Sequence, residues 1–384
     1  MKNKILLSIL ALSLSLSTLQ AKTWVDSLDI YVREKYMPPS KFKWTWQRAS
    51  LLFAATKQYE FRPEDQKSTY LNYVQKAIDK RYGRANGKSP NAVASGLGMS
   101  FLSMHNMGEK YDKGSNKIYQ DYLKVKRTDN GGISHKRHFK ELWDDTVFMI
   151  GIYLQNMYNW TGDEKYIDQM FLQYIAHREK LMDPATGLWV HGWDGDNRNR
   201  CNFCGQSGWS KNESKRSNEL WGRGNGWVIV TIAELVQLLS QDHPRRAEAE
   251  GYLKEMIINL PGVQDKISGH WYQLPMRPDQ PGNYIESSAT AMFAYGILIA
   301  LQEGVVNGSA YEQAIQNAYQ GLRTHSVKSA GGAYLTVTNT CKGTCIGNMD
   351  YYLNRKAKAE KPSGLGMVLL FGSAYEDYIS KTIN

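Results

Sequence analysis

The sequence predicts an all-α protein, an (α/α)6 barrel, on three observations. Apolar residues recur at three- and four-residue steps through about twelve segments, the period of helices, while the two-residue alternation of strands is almost absent. The segments differ in character: 45–59, 92–106, 139–158, 227–240, 285–304 and 363–382 are apolar on nearly every face, whereas 65–82, 114–127, 163–182 and 244–260 carry Lys, Glu, Asp and Gln along one side. A helix apolar all round must be buried all round, and an amphipathic one can face water. Their alternation means an inner and an outer ring. No motif recurs at a fixed period, which separates the pattern from a helical solenoid.

Along the chain, residues 1–21 read as a signal peptide: Lys2 and Lys4 form a basic start, Ile5 to Leu19 an apolar run and Ala21 a cleavage position. The run is too short to span a bilayer comfortably. No later stretch is long and apolar enough, so the expectation is an exported, periplasmic or secreted protein with no membrane association. Residues 22–384 contain no Pro/Gly/Ser linker and read as one catalytic domain. Helices are expected at 24–36, 45–59, 65–82, 92–106, 114–127 and 139–158, then at 163–182, 227–240, 244–260, 285–304, 309–325 and 363–382. The longest non-helical stretches, 183–221 and 326–361, each precede an inner helix. Loops entering the inner helices gather at one end of such a barrel, and long loops in a compact domain are usually functional, which puts the site there.

The formal charge is +10, or +8 without the two leader lysines. Nucleic acid is the usual partner of a basic protein, but these charges are scattered and the chain reads as exported. They suit steering of a polyanionic glycan instead. A monomer or weak homodimer is expected. Four cysteines form two close pairs, Cys201/Cys204 and Cys341/Cys345. Four thiolates would suit a zinc ion. Two disulfides, local or joining the two loops, suit an oxidising compartment, which export favours.

The run Trp221-Gly222-Arg223-Gly224-Asn225-Gly226-Trp227, opening into a helix from Val228 to Leu239, reads as the floor of a pocket for an acidic sugar. Glycines let a ligand approach the backbone, indoles supply flat walls, and Arg223 supplies a fork of donors for a carboxylate. The segment Glu141 to Met149 puts Asp144 and Asp145 at the start of an inner helix, about 100° apart. Asp145 shares a face with Phe148 and Ile152, surroundings that raise a carboxyl pKa toward that of a proton donor. Asp144 complements the helix dipole. Upstream, His135 suits a sugar hydroxyl and Lys136 a carboxylate. His191, between Trp189 and Trp193, suits stacking and orientation of a pyranose. It lacks a second histidine at zinc-ligand spacing. Glu286 is either a second catalytic carboxylate or a brace between loops. Ser287 and Ser288 lack the elbow of a serine nucleophile. No strand precedes the glycine run, so its likeness to nucleotide loops carries little.

These strings resemble the unsaturated uronyl hydrolases of glycoside hydrolase families 105 and 88, with 105 nearer. The resemblance runs through His135-Lys136, Trp143-x-Asp145, His191-Gly192-Trp193-Asp194 and Trp221-x-Arg223-Gly-Asn-Gly-Trp227. It continues through Arg277-Pro278-Asp279, Asn283-Tyr284-x-Glu286-Ser287-Ser288, and Gly343-Thr344-Cys345-x-Gly347 with Tyr351-Tyr352. It implies an (α/α)6 barrel that removes 4,5-unsaturated uronic acid from the non-reducing end of lyase-generated oligosaccharides, such as rhamnogalacturonan or ulvan fragments, without metal or organic cofactor. It places the catalytic acid on Asp145 and substrate contacts on His135, Lys136, Trp143, His191, Trp221, Arg223 and Trp227, with Trp46 at the wall. Where the family commonly has an aspartate this chain has Ser103, which can still hydrogen-bond to substrate. Where a histidine is expected it has Ser363, and its 195–220 loop is long. Alternatives are a two-carboxylate glycosidase using Asp145 with Glu286, or a glycan-binding homologue with impaired catalysis.

Overall fold

The computed structural model describes residues 23–197 and 209–383; the leader at 1–21 and the pair Cys201/Cys204 lie outside the described residues. Its helices are α1 (Trp24–Lys35), α2 (Trp46–Phe61), α3 (Glu64–Arg81), α4 (Pro90–Ala94), α5 (Gly96–Met104), α6 (Glu109–Tyr122) and α7 (Asp145–Thr161). They continue as α8 (Lys165–Leu181), α9 (Gly222–Leu238), α10 (Arg246–Ile257), α11 (Ser287–Gln302), α12 (Ser309–Gly321), α13 (Met349–Leu353) and α14 (Pro362–Ile383). Contacts run α2 to α5, α5 to α7, α7 to α9, α9 to α11, α11 to α14 and α14 back to α2, which closes an inner ring. Helices α3, α6, α8, α10, α12 and α1 pack outside it, each against an inner neighbour. The expected barrel is therefore present. Outer helix α1 packs on inner helix α14, and Thr23 Oγ1 donates to Glu376 Oε2 at 3.2 Å across that junction.

The starts of the inner helices meet at one end. Ser95 Oγ, before α5, donates to Thr45 O, before α2, at 3.3 Å. A Cβ on Gly222, at the start of α9, would lie 3.1 Å from Ala289 Cβ at the start of α11. Deeper in the ring, Lys57 Nζ of α2 lies 3.0 Å from Glu234 Oε2 of α9, on the opposite side, and Tyr295 of α11 donates its hydroxyl to the same carboxylate. Charge buried across the ring must be paired to be tolerated, and here it is.

Several boundaries differ from expectation. Residues 139–144 are not helical: Glu141–Trp143 forms strand β1, antiparallel to β2 (Gly192–Asp194), and α7 starts only at Asp145. The remaining short strands, β3 (Val327–Gly331) with β4 (Tyr334–Val337) and β5 (Thr340–Cys341) with β6 (Ala357–Lys358), lie in the long loop before α14. Ser95 separates α4 from α5. Helix α9 begins at Gly222, inside the glycine run. Those glycines serve packing: a Cβ on Gly224 would overlap Asp144 Oδ2, and one on Gly226 would lie 2.6 Å from Met292 Cε of α11. The helical cost of three glycines is offset by the close approach of α7 and α11.

Candidate active site

The register Trp143↔Gly192 zips two distant segments together, and Asp144 N donates to His191 O at 3.2 Å just beyond it. His191 thereby stands over the first turn of α7, with Nε2 3.2 Å from Asp145 Oδ2 and Nδ1 2.7 Å from the Tyr352 hydroxyl. Trp221 stacks on the imidazole (4.5 Å between centroids, 28°), and Trp143 meets it edge-on at 5.4 Å. On Trp143, His135 lies parallel at 4.6 Å and Lys136 Nζ stands 4.4 Å from the ring centroid. His135 is held by Thr146 Oγ1 at 2.9 Å from Nδ1, and its Nε2 lies 3.4 Å from Asn91 Nδ2. His135, Lys136, Trp143, Asp145, His191 and Trp221 are thus brought together.

The sequence model of Glycosyl Hydrolase Family 88 matches residues 19–379. The chain belongs to this family. Over 341 residues the hydrolase is 25% identical to the unsaturated rhamnogalacturonyl hydrolase YesR of Bacillus subtilis strain 168, covering 86% of this chain and 89% of the relative. It is 24% identical over 187 residues to an unsaturated 3S-rhamnoglycuronyl hydrolase of Formosa agariphila, covering 47% of this chain and 45% of that one. Its fold is shared with a family 105 glycoside hydrolase of C. acetobutylicum ATCC 824: TM-score 0.79, 23% identity, 92% of this chain and 99% of that one covered.

Other residues singled out in the sequence of this family 88 hydrolase fall elsewhere. Arg223 is fully buried, and its Nη1 and Nη2 donate to the carbonyls of Cys341 and Lys342. The fork expected for a ligand carboxylate is spent on bracing a loop, because that loop crosses directly over the start of α9. Trp227 lies more than a turn into α9, buried against Phe148 at 4.4 Å. Trp46 starts α2, half-buried, beside the Gly343 loop. Ser103 is not brought to the site. It lies about two turns down α5, ~11 Å from the mouth, fully buried with Oγ 3.0 Å from Ser115 Oγ. Ser363 is buried in the first turn of α14. Trp189 turns away from His191 to pack on Tyr174, and Asn225 clasps its backbone N–H and C=O.

Glu286 proves to be a brace. Its carboxylate caps α11 by accepting from Ala289 N (2.6 Å) and also accepts from Ser288 Oγ and Cys341 N (both 2.8 Å). No capacity is left for a glycosidase pair with Asp145. Cys345 is disulfide-bonded and Cys341 is a free, buried thiol, so the two are not joined and a four-thiolate zinc site is ruled out.

Electrostatics reverse one expectation. Burial pushes the Asp145 carboxyl up, but the hydrogen bond from His191 outweighs it and holds the pKa at about 2. Asp144, fully buried, is raised well above the carboxylate range by desolvation and then by the adjacent Asp145 charge. The two carboxyls are in side-chain contact, and like charges that close cannot both ionise. Of the two, Asp144 is therefore the one on which a proton is favoured. Burial lowers His135 to about 3 and also lowers His191, so both imidazoles are neutral.

The His191 tautomer follows from Tyr352. Gly347 N donates to the Tyr352 oxygen at 3.4 Å, leaving the phenol proton for Nδ1; Nε2 then carries the hydrogen that faces Asp145. Asp144, Asp145 and His191 place ligand-type atoms within 4.8 Å of one another, but a metal there would displace the His191–Asp145 bond. Among the described residues, Asp144 Oδ2, Trp221 Nε1, Arg223 Nε and Trp227 Nε1 are buried without a hydrogen-bond partner. Sequence reasoning assigned no role to Tyr352, although it lay in a quoted string. It missed Asn91 altogether, whose only signal is an amide at the head of an apolar helix.

Proposed function

We propose that the hydrolase removes a 4,5-unsaturated uronic acid from the non-reducing end of oligosaccharides left by polysaccharide lyases. The observation that carries this is one buried carboxylate, Asp145, oriented by His191 beside the fully buried Asp144, with no second free carboxylate opposite it among the described residues. The similarity to unsaturated rhamnogalacturonyl and 3S-rhamnoglycuronyl hydrolases supports the same substrate class.

The substrate is an enol ether. Asp145, drawing on the proton shared with Asp144, protonates C4; positive charge develops at C5 and is shared with the ring oxygen. Asp145, now a carboxylate facing His191 Nε2–H, takes a proton from the water that attacks C5. The resulting hemiketal opens and releases the remaining oligosaccharide as an alcohol. Only one acid–base carboxylate is needed, unlike hydrolysis across a saturated glycosidic bond. Trp143 supplies a stacking face, Trp221 holds the His191 ring in place, and Trp46 lies at the edge. Lys136 meets the sugar carboxylate and His135 a hydroxyl, and the inner-helix N-termini add favourable potential for an anion. The Arg223 guanidinium holds the Cys341–Lys342 loop in place.

No metal takes part in this scheme, so dialysis against chelator should leave turnover unchanged. Export to the periplasm belongs to the same reading, and among the described residues no helix is long and apolar enough to cross a membrane. The N-terminus of protein recovered from a bacterial periplasm should be Lys22. The deciding experiment follows ultraviolet absorbance of the substrate double bond. Turnover removes it, and Asp145→Asn abolishes the decrease while circular dichroism stays native. Undiminished turnover by that variant refutes the assignment.

A further inference from the structure

We propose that the cleft lined by Lys88, Lys124, Lys126 and Arg137 is a second anion site. It takes a sulfate ester or carboxylate on a sugar beyond the one removed, and this rests on the substrate class assigned above. The cleft has a volume of about 340 Å³ and is completed by Val125 and Asp121, a size within the range that holds small ligands. Four cations face one acid, and that acid is engaged: Asp121 Oδ2 accepts from Gly87 N at 3.3 Å. Lys126 stands 3.9 Å from Asp196. Among the described residues, no carboxylate is in ion-pair contact with Lys88, Lys124 or Arg137, although all three line a single cavity.

Continuity with the candidate active site decides what the cleft is for. Lys88 precedes Asn91, Arg137 follows His135, and the Asn91 and His135 side chains meet at 3.4 Å. Two or three residues of chain span at most ~10 Å, so an oligosaccharide whose terminal ring lies on Trp143 can reach the cleft with its inner sugars. The larger cleft, about 490 Å³, makes a contrast. Its Arg277 stands 3.6 Å from Glu219, so its charge is already balanced from within. In the basic cleft the Arg137 fork and the lysine point charges suit tetrahedral or planar oxyanions alike.

The test uses the triple variant Lys88→Gln/Lys124→Gln/Arg137→Gln, which leaves the Lys126–Asp196 contact in place. Affinity for three unsaturated trisaccharides of equal length is measured, the inner sugar bearing a sulfate ester, a carboxylate or neither. An Asp145→Asn background makes binding readable whether or not the chain turns substrate over. The triple variant should bind the sulfated or the carboxylated ligand about tenfold more weakly, as expected for several exposed charge contacts, and the neutral one as before. The charged ligand should also lose affinity as salt is raised. Which charged ligand responds identifies the anion. Equal losses for all three ligands, or no loss for any, overturn the proposal. Absence of turnover in the unmutated protein would instead sink the activity reading and leave these affinities to decide the cleft.

Discussion

The hydroxyl of Tyr352 lies 2.7 Å from His191 Nδ1, and this contact selects the imidazole nitrogen that faces Asp145. Removing it with Tyr352→Phe should lower kcat by roughly 10- to 100-fold, the usual cost of losing an orienting outer partner, with KM nearly unchanged. The sign of the pH effect follows from the low pKa of Asp145, about 2, which the His191 hydrogen bond maintains against burial. Weakening that bond raises the pKa, so the acidic limb of the rate profile should move to higher pH. A variant that merely misfolded would lower the rate without moving the limb.

Asp144→Asn separates activity from stability. With the shared proton gone, Asp145 alone is ionised at neutral pH, so kcat should fall steeply there and recover partly as the solution is acidified. Stability should move the other way. Asp144 has a folded pKa above its unfolded value, which penalises the fold as pH rises above about 3.8, and Asn removes that penalty. Thermal melting at neutral pH should be unchanged or higher, alongside the loss of rate.

Gly224→Ala would place a methyl group on Asp144 Oδ2 inside a buried contact. The gain in helix propensity, about 1 kcal/mol, is smaller than the ~1–3 kcal/mol of overpacking. Net destabilisation in urea is expected, with loss of activity because Asp144 must move. The double variant Gly224→Ala/Asp144→Gly should recover stability but not rate.

At the far end of the barrel, Lys57→Ala leaves Glu234 buried without its cation. Urea unfolding should register a loss of about 3–5 kcal/mol. Lys57→Met/Glu234→Gln removes both charges and keeps an acceptor for Tyr295, so most of that loss should return. Activity per folded molecule should change little in either case, since the site lies at the opposite end.

Periodicity and composition determined the twelve barrel helices and which of them face inward, because burial on every side is written locally in each helix's residues. Asp145 was also legible, since an acid at the head of an apolar helix is conspicuous by itself, and the structure brings it together with His135, His191, Trp143 and Trp221 but not with Trp189 or Trp227. Tertiary structure alone decided who partners whom. The His191–Tyr352 bond joins residues 161 positions apart. Arg223 turned from ligand to loop because two carbonyls cross above it, and Ser103 left the site because depth along a helix is not readable from residue type. Above all, burial and neighbouring charge favour a proton on Asp144 rather than Asp145. Desolvation and neighbouring charge act through space, and no order of residues along a chain records how completely a carboxyl will be cut off from water.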